Sequence, residues 1–367
     1  MIDTDKWLAQ WSKIFLDPNG GFFERLGIDL EPLPLARRLV GQCRQVYTYA
    51  VAMTDKDRND LAPLVESGYQ YIVDKYYDEK VGAYHYTIHD DGSVDDGSFD
   101  LYAQTFVIMA FIATYRLTGN KDALQRSQAL MQVINTTYRH AMAGFYESLD
   151  ISGKPEPKMR RQNPHMHFFE ACMFAYEVTG DNIYRDQARE ILGLMETYFV
   201  QKDTDTLCEF FTDDLKPDAV HGYAIEPGHH LEWSRFLNEY AALDKDAADQ
   251  CQRLEKRLMG WVMKHGFDKV HGGVYDVVAP DGTPIKSSKR IWCQMEAMAA
   301  LYVCGQKAAA DELLAVLKKY YLRADGLWTE HLNEDMSVHS NFYPATTPYH
   351  IYFPIRAVIN KGVDLNA

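Results

Sequence analysis

A short segment recurs six times along the 367-residue chain at nearly constant spacing. Most copies start with a small residue and an aromatic one, alternate with period two, and end in Gly, Asp, Asn or Pro, which is the pattern of a β-hairpin. Successive copies lie 61, 62, 64, 65 and 53 residues apart, measured between Gly21, Gly82, Gly144, Cys208, Gly273 and Gly326. A period of this length predicts a stack of small structural repeats.

Between these segments the apolar residues follow a helical period, and most intervals have room for two helices. The predicted helices cover residues 4–15, 36–53, 61–77, 99–117, 121–140, 163–180, 183–200, 227–242, 246–265, 288–304, 307–321 and 346–360. The first helix of each pair is apolar all round, as in an inner ring, and the second is amphipathic, as in an outer ring. The last predicted helix can pair with the first, and neither end of the series then shows a capping unit. This favours a closed ring over an open stack. We therefore predict an all-α protein, an (α/α)6 barrel or toroid of six helical hairpins with short β-hairpins in the connecting loops, forming one domain over residues 1–367.

The composition narrows the class of protein. Apolar residues make up 47% of the chain, as in soluble globular proteins. The net charge of −14 and the lack of a basic cluster argue against nucleic-acid or anionic-membrane partners. The six cysteines show no paired spacing, and no stretch resembles a secretion signal or a membrane span. We expect a cytoplasmic protein, either a monomer or a homodimer.

Polar residues recur near the start of each predicted inner helix. In a closed barrel these helix ends would point toward one axial pocket, which is the natural place for a site. The candidate residues are Arg44, Tyr47, Tyr102, Asn163, His167, His229, Glu232, Arg290, Trp292, Glu296 and His350.

Several of these residues also have a structural interpretation. Arg44 could form an ion pair between repeats, and Tyr47 and Trp292 could be core residues. Glu296 could be a buried partner of Arg290 or Arg44. Asp100 precedes a helix and is expected to be its N-cap. His165 and His230 face away from their better-placed neighbours and are expected to be structural.

The pair His229 and Glu232 indicates proton transfer. A carboxylate one helical turn from an imidazole can fix its tautomer and raise its basicity. His350 lies on another inner helix in an uncharged stretch, where an unpaired imidazole would be costly. Because the histidine spacings match no compact metal site, no metal or cofactor is expected. Glu232 and Glu296 are the only carboxylate pair that we offer for a glycoside hydrolase.

Five stretches together resemble the N-acylglucosamine 2-epimerase superfamily. They are RLVGQCRQVYTYA (38–50), RRQNPHMHFFEA (160–171), EPGHHLEW (226–233), KRIWCQMEA (289–297) and ATTPYHIY (345–352). The resemblance covers nearly the whole chain and itself implies an (α/α)6 barrel. It also implies a metal-independent sugar isomerase or 2-epimerase that acts on a small sugar without a cofactor.

The resemblance implies a role for each matching residue. His350 takes and returns the proton at C2 of the sugar, and His229 opens the ring or acts as the base on the opposite face. Glu232 supports His229, and Arg44 stabilises an enediolate. Asn163 and His167 match residues that line the sugar site, and Arg290 and Trp292 lie in a further matching motif. The sequences of the NPHMHFFEA and EPGHHLEW stretches resemble those of the bacterial monosaccharide isomerases more closely. This favours an aldose–ketose isomerase, of mannose and fructose or a close analogue, over a 2-epimerase. A glycoside hydrolase and a non-catalytic sugar-binding protein remain alternatives.

Overall fold

The structure, a computed structural model, describes residues 1–340 and 342–366. Within these residues there are twelve α-helices, one at each predicted position. They are α1 (Thr4–Ile14), α2 (Leu39–Asp55), α3 (Ala62–Tyr76), α4 (Leu101–Thr118), α5 (Lys121–Thr137), α6 (Gln162–Thr179), α7 (Asn182–Leu194), α8 (Pro227–Leu243), α9 (Ala248–His265), α10 (Ile291–Val303), α11 (Lys307–Val316) and α12 (Thr347–Asn360). Both α7 and α11 continue into a π-helical turn, at Met195–Phe199 and Leu317–Tyr321.

Strands of only two or three residues occupy the connections between the helices. They are β1 (Arg25–Gly27), β2 (Arg37–Arg38), β3 (Tyr77–Asp78), β4 (Ala83–Tyr84), β5 (Thr87–Ile88), β6 (Val94–Asp96), β7 (Phe99–Asp100), β8 (Ser148–Leu149), β9 (Arg160–Arg161), β10 (Phe210–Phe211), β11 (Val277–Val278), β12 (Pro284–Lys286), β13 (Lys289–Arg290), β14 (His331–Leu332), β15 (Val338–Ser340) and β16 (Phe342–Pro344). The recurring segments are therefore antiparallel hairpins, as in the pairs β5–β6, β11–β12 and β14–β15.

The chain divides into two compact units. The N-terminal unit consists of Ser12–Ile191 and Pro344–Tyr349. The C-terminal unit consists of Met1–Trp11, Leu192–Tyr343 and His350–Ala367. The single domain expected over residues 1–367 stays a prediction.

In the N-terminal unit, α2, α4 and α6 pack side by side, with α3 against α2 and α5 against α4. Helix α4 is buried on every face from Ala103 to Thr114, as expected of an inner helix. Asp100 accepts a hydrogen bond from the Ala103 amide at 2.9 Å, which confirms it as the N-cap of α4.

In the C-terminal unit, α8 packs against α9 and α10, and α10 packs against α11. Helix α10 is buried almost throughout, whereas α9 buries one stripe that includes Cys251, Leu254, Leu258 and Val262. The difference between inner and outer helices that the sequence predicted is confirmed here.

A side-chain clamp fixes the start of five inner helices to the preceding hairpin. In each case the side chain of the fourth helical residue bonds to a backbone amide of the hairpin. The pairs are Gln42 with Phe22, Gln104 with Tyr84, His165 with Phe145, His230 with Leu207, and Gln294 with Val274. The structural role expected for His165 and His230 is confirmed, because they occupy the clamp position that glutamine fills elsewhere.

Two further expectations concern the cysteines and the helices. The six cysteines are free thiols, and all but Cys304 are buried. Among the described residues, every helix is too short or too polar to cross a membrane.

Candidate active site

In the C-terminal unit the structure brings together His229, Trp292 and His350. His229 lies in the first turn of α8, Trp292 in the first turn of α10, and His350 in the first turn of α12. The indole ring centroid of Trp292 is 5.1 Å from that of His229 and 5.5 Å from that of His350. Both imidazoles are mostly buried, with 6% and 8% of their residue surface exposed. Two histidines 121 positions apart in the sequence therefore contact the same aromatic ring.

His229 is held by a carboxylate that the sequence did not single out. Its Nδ1 lies 3.0 Å from each carboxylate oxygen of Glu209, at the end of the preceding hairpin. Because a carboxylate only accepts hydrogen bonds, Nδ1 is the donor, and Nε2 is left for chemistry. We expected Glu232 to hold this imidazole. His229 instead donates its hydrogen bond to Glu209, since the preceding hairpin places that carboxylate against the first turn of α8.

The surroundings of His229 favour its protonated form. Burial alone would lower the pKa of this imidazole, but the negative charges of Glu209, Glu226 and Glu232 outweigh that effect and raise its pKa to about 9. Glu232 contributes to this shift by its charge, and its expected role in supporting His229 stays a prediction. At neutral pH His229 is an imidazolium that can donate a proton from Nε2.

His350 has a similar carboxylate partner. Its Nδ1 donates to Oε1 of Glu296 at 3.1 Å. The second oxygen of Glu296 accepts from Nε of Arg235 at 2.9 Å, and Glu296 is fully buried. The sequence offered Arg290 or Arg44 as the partner of Glu296, and this was wrong. Arg235 takes that place because α8 and α10 pack together along their length.

A carboxylate oxygen of Glu232, one of Glu296 and a ring nitrogen of His350 all lie within 4.8 Å of one another. Two carboxylates and an imidazole are ligand types that a divalent cation accepts. The same three groups can also share and pass protons, and Arg235 already neutralises Glu296. The expectation of no metal stays a prediction, and chelation tests it.

Arg290 anchors the start of α10. Its backbone amide and its Nε both donate to Oδ1 of Asp276, at 2.9 and 3.1 Å. Its Nη2 donates to Glu226 at 2.9 Å. About a third of its side chain is exposed, and its guanidinium lies 5.2 Å from the Trp292 ring. The substrate-binding role expected for Arg290 stays a prediction.

In the N-terminal unit, a second cluster surrounds Arg44. The guanidinium donates to the Tyr102 hydroxyl at 2.6 Å and lies 4.3 Å from the ring of Phe106 and 4.6 Å from that of Tyr349. Only 5% of Arg44 is exposed, and no described residue forms an ion pair with it. The alternative of an ion pair between repeats is therefore wrong. The buried positive charge is held mainly by aromatic faces.

His167 belongs to this second cluster. Its Nδ1 donates to Glu170 at 2.8 Å, and the other oxygen of Glu170 accepts from the Tyr349 hydroxyl at 2.5 Å. The His167 ring lies 5.0 Å from that of Tyr102. Glu170 was also missed, although HFFE at 167–170 has the same spacing as HHLE at 229–232, where a carboxylate likewise follows a histidine by three residues.

Two predicted binding residues remain in this unit. Tyr47 is 3% exposed and packs edge-on against Phe174, with ring centroids 5.1 Å apart. Asn163 is half-buried, and within the described residues its Oδ1 is a buried acceptor that has no hydrogen-bond partner. An unused buried acceptor is costly unless a ligand satisfies it.

Comparison with known proteins identifies the relatives of this chain. The chain is 31% identical over 365 residues to mannose-6-phosphate isomerase of Rhizobium meliloti, an alignment that covers 95% of this chain and 92% of that protein. It is 26% identical to D-mannose isomerase of Marinomonas mediterranea, covering 88% and 82%. It is 24% identical to cellobiose 2-epimerase of Bacteroides fragilis, covering 82% and 79%.

The fold has a close counterpart among solved structures. A crystal structure of D-mannose isomerase matches 97% of this chain and 96% of its own, with a TM-score of 0.89 at 22% identity. This likeness confirms the (α/α)6-barrel fold class. Together with the sequence relatives, it defines an enzyme of the sugar isomerase and epimerase class. A family model described as N-acylglucosamine 2-epimerase matches residues 21–353, and the chain belongs to that family.

Proposed function

We propose that this protein is an aldose–ketose isomerase that interconverts D-mannose and D-fructose. The observation that carries the proposal is the pair of imidazoles, His229 and His350, on one indole ring, each with a carboxylate on Nδ1. Sugar isomerisation needs two separate proton transfers, one at the ring oxygen and one at carbon. Two of the relatives are named as isomerases of mannose or its phosphate, which supports the same choice.

His229 is proposed to open the sugar ring. As the C1–O5 bond breaks, its electrons go to O5, which takes the proton from Nε2 of His229. The O1 hydroxyl gives its proton to solvent as the C1 carbonyl forms. An imidazolium is the form required for this step, and the surrounding carboxylates keep His229 in that form at neutral pH.

His350 is proposed to move the proton between C2 and C1. Its Nε2 removes the C2 proton, the electrons of that bond form the C1–C2 double bond, and the π electrons of the C1 carbonyl move to O1 to give an enediolate. Return of the proton to C1, with transfer of the O2 proton to O1, gives the ketose. Glu296 holds Nδ1 of His350, and this bond favours the charge that the imidazole acquires in the first step.

The remaining predicted residues keep the roles that the sequence predicts for them. Trp292 is proposed to be a platform for the sugar, because aromatic faces stack on sugar rings. Arg44 is proposed to stabilise the enediolate, and its buried guanidinium without an ionic partner among the described residues supports an anionic ligand. Tyr47, Tyr102, Asn163, His167 and Arg290 are proposed to bind the sugar.

A 2-epimerase is the second candidate. A second imidazole that can return the proton to the opposite face of C2 would give the epimer instead of the ketose. The cellobiose 2-epimerase relative supports this alternative. The difference between the two outcomes lies in where the proton returns.

The test is incubation of the protein in D2O with mannose, mannose 6-phosphate, glucose, N-acetylglucosamine or cellobiose, followed by NMR at C1 and C2. The proposal predicts fructose, with deuterium at C1 to the extent that His350 exchanges the proton with solvent before it returns it. Deuteration at C2 with inversion would indicate the epimerase, and cleavage of cellobiose would indicate a hydrolase. Absence of exchange with every sugar would contradict an enzymatic role. Parallel samples with EDTA test the metal-free expectation, which predicts unchanged turnover.

A further inference from the structure

The hairpin before α8 departs from the arrangement that precedes three other inner helices. Before α2, α6 and α10, a hairpin carboxylate accepts hydrogen bonds from the backbone amide and from Nε of an arginine that immediately precedes the helix. The pairs are Glu24 with Arg38, Glu147 with Arg161, and Asp276 with Arg290. In these three places the carboxylate serves to fix the start of a helix.

Glu209 occupies the same position in its repeat. Each of these carboxylates stands two residues after the hairpin residue that the clamp holds, as in Phe145 and Glu147. Leu207 is the clamped residue before α8, and Glu209 follows it by the same two positions. The repeat therefore supplies a buried carboxylate here for structural reasons.

What differs is the residue that precedes the helix. Before α8 it is Glu226, whose like charge cannot pair with Glu209. Glu226 instead accepts from Nη2 of Arg290 at 2.9 Å. Glu209, with 3% of its surface exposed, turns to Nδ1 of His229. Because glutamate and not arginine precedes α8, the hairpin carboxylate of Glu209 is available to bind the imidazole of His229.

We propose that Glu209 is the positioning residue of His229, and that Glu226 makes this possible because it stands where an arginine that would bind the hairpin carboxylate stands before α2, α6 and α10. This inference rests on the proposed function of His229 in ring opening. Both carboxylate oxygens of Glu209 lie 3.0 Å from Nδ1 of His229, so Nε2 is the nitrogen that is left to meet the sugar. Trp292, 5.1 Å away, limits rotation of the same ring.

The charge around His229 is consistent with this assignment. The charged or titratable groups that face it are Glu209 on the hairpin and Glu226, His230 and Glu232 on or beside α8, while Arg290 approaches through its pair with Glu226. Burial opposes protonation, and of the carboxylates Glu209 has the largest effect in raising the pKa of His229 to about 9. Removal of its charge should move the titration of His229 back toward the ordinary value of 6.5.

The test compares Glu209→Gln and Glu209→Asp with Glu147→Gln, which removes the equivalent carboxylate from the repeat that retains its arginine. Histidine side chains labelled with ¹⁵N are titrated by NMR without substrate, and His229→Asn identifies the His229 signal. The proposal predicts that Glu209→Gln lowers the midpoint of His229 and that Glu209→Asp largely restores it. Glu147→Gln should leave that midpoint unchanged while it lowers thermal stability.

Turnover gives the second readout. We expect Glu209→Gln to lower kcat by about 100-fold with little change in KM, and Glu147→Gln to leave both unchanged per folded molecule. An unchanged His229 midpoint in Glu209→Gln would overturn the inference whether or not mannose is the substrate. If the midpoint falls but no sugar is turned over by the wild type, the proposed function fails and the positioning role stands. Should Glu209→Gln not fold, Glu226→Arg takes its place, and a His229 midpoint and a kcat equal to those of the wild type in that variant would overturn the inference.

Discussion

The hairpin-to-helix junctions before α6 and α8 are built alike and differ in the side chain that the hairpin carboxylate binds. Each has a hairpin carboxylate and a buried histidine clamp, at Glu147 and His165 in the first and at Glu209 and His230 in the second. In the first junction the carboxylate binds Arg161, whereas in the second it binds His229. The comparison indicates that a few side chains, placed on a scaffold whose local geometry is unchanged, decide whether a junction only supports the fold or also carries a proton.

The adjacent histidines of α8 show the same contrast within two residues. Carboxylates raise the pKa of His229 to about 9 despite its burial, whereas burial lowers the pKa of His230 to about 3. Nε2 of His230 accepts a hydrogen bond from the Leu207 amide at 2.9 Å. His229 is therefore a charged group available for chemistry, and His230 is a neutral part of the structure.

The largest difference in kcat is expected when each of these two histidines is replaced by glutamine in turn. His229→Gln should lower kcat on ring-closed mannose by about 10³-fold, because it removes the proton donor. His230→Gln should change kcat less than about twofold, because glutamine fills the same clamp before α2, α4 and α10. Coupled assay of fructose formation measures both. Equal losses in the two variants would remove the distinction between them.

The second-largest fall in kcat is expected for Glu226→Arg, which places before α8 the residue type that precedes α2, α6 and α10. The new guanidinium should capture Glu209, so that His229 loses its partner and kcat falls by about 10- to 100-fold in a protein that stays folded. Circular dichroism and turnover check this prediction. Wild-type turnover in this variant would show that the residue before α8 does not govern the use of Glu209.

A smaller effect is expected from Gly228→Ala. A Cβ at this position would lie 2.7 Å from the Trp292 ring and 2.9 Å from Sγ of Cys293. The indole must therefore move away from the imidazoles that it contacts, and we expect kcat/KM for mannose to fall by about tenfold. Gly260→Ala, on the outer helix α9 with no atom near the added Cβ, is the matched control and should retain wild-type kcat/KM.

The smallest effect on activity, but a measurable one on stability, is expected from the double variant His165→Gln and His230→Gln. Burial lowers the pKa of each imidazole from 6.5 to about 3. Between these values the unfolded chain binds more protons than the folded one, so the stability that these neutral groups contribute is present above pH 6.5 and is lost as the pH falls toward 3. At pH 4.5 this amounts to about 2 to 3 kcal/mol per histidine.

Urea unfolding at pH 7 and pH 4.5 measures this difference. The double variant should lose less free energy of unfolding between the two pH values than the wild type does, with little change at pH 7. An identical acid loss in both proteins would show that the clamp histidines do not control acid stability.

Much of the fold could be predicted from the sequence because it repeats. The helical and hairpin periods are local properties, and six copies of them indicated the order and pairing of the helices. Helix ends were less predictable where α7 and α11 pass into π-helical turns, which leave the apolar period unchanged.

The site was predictable only in part. His229, Trp292 and His350 could be chosen because their types and their place in the repeat suggested chemistry. Glu209, the partner of His229, and Arg235, the partner of Glu296, could not be chosen, because pairing depends on which side chains the packed elements bring within hydrogen-bond distance. For Glu209 there was a signal, since it stands where Glu24, Glu147 and Asp276 stand in their repeats, but only the structure shows what those carboxylates bind.

The central claim is that His350 carries the C2 proton while His229 opens the ring. Mannose with deuterium at C2, followed by NMR with the wild type and with His350→Asn, tests it most directly. The wild type should give fructose with the label at C1 or lost to water. His350→Asn should leave the C2 label in place and still speed the exchange of mannose anomers, because ring opening by His229 is intact. Release of the C2 label by His350→Asn at the wild-type rate would contradict the claim.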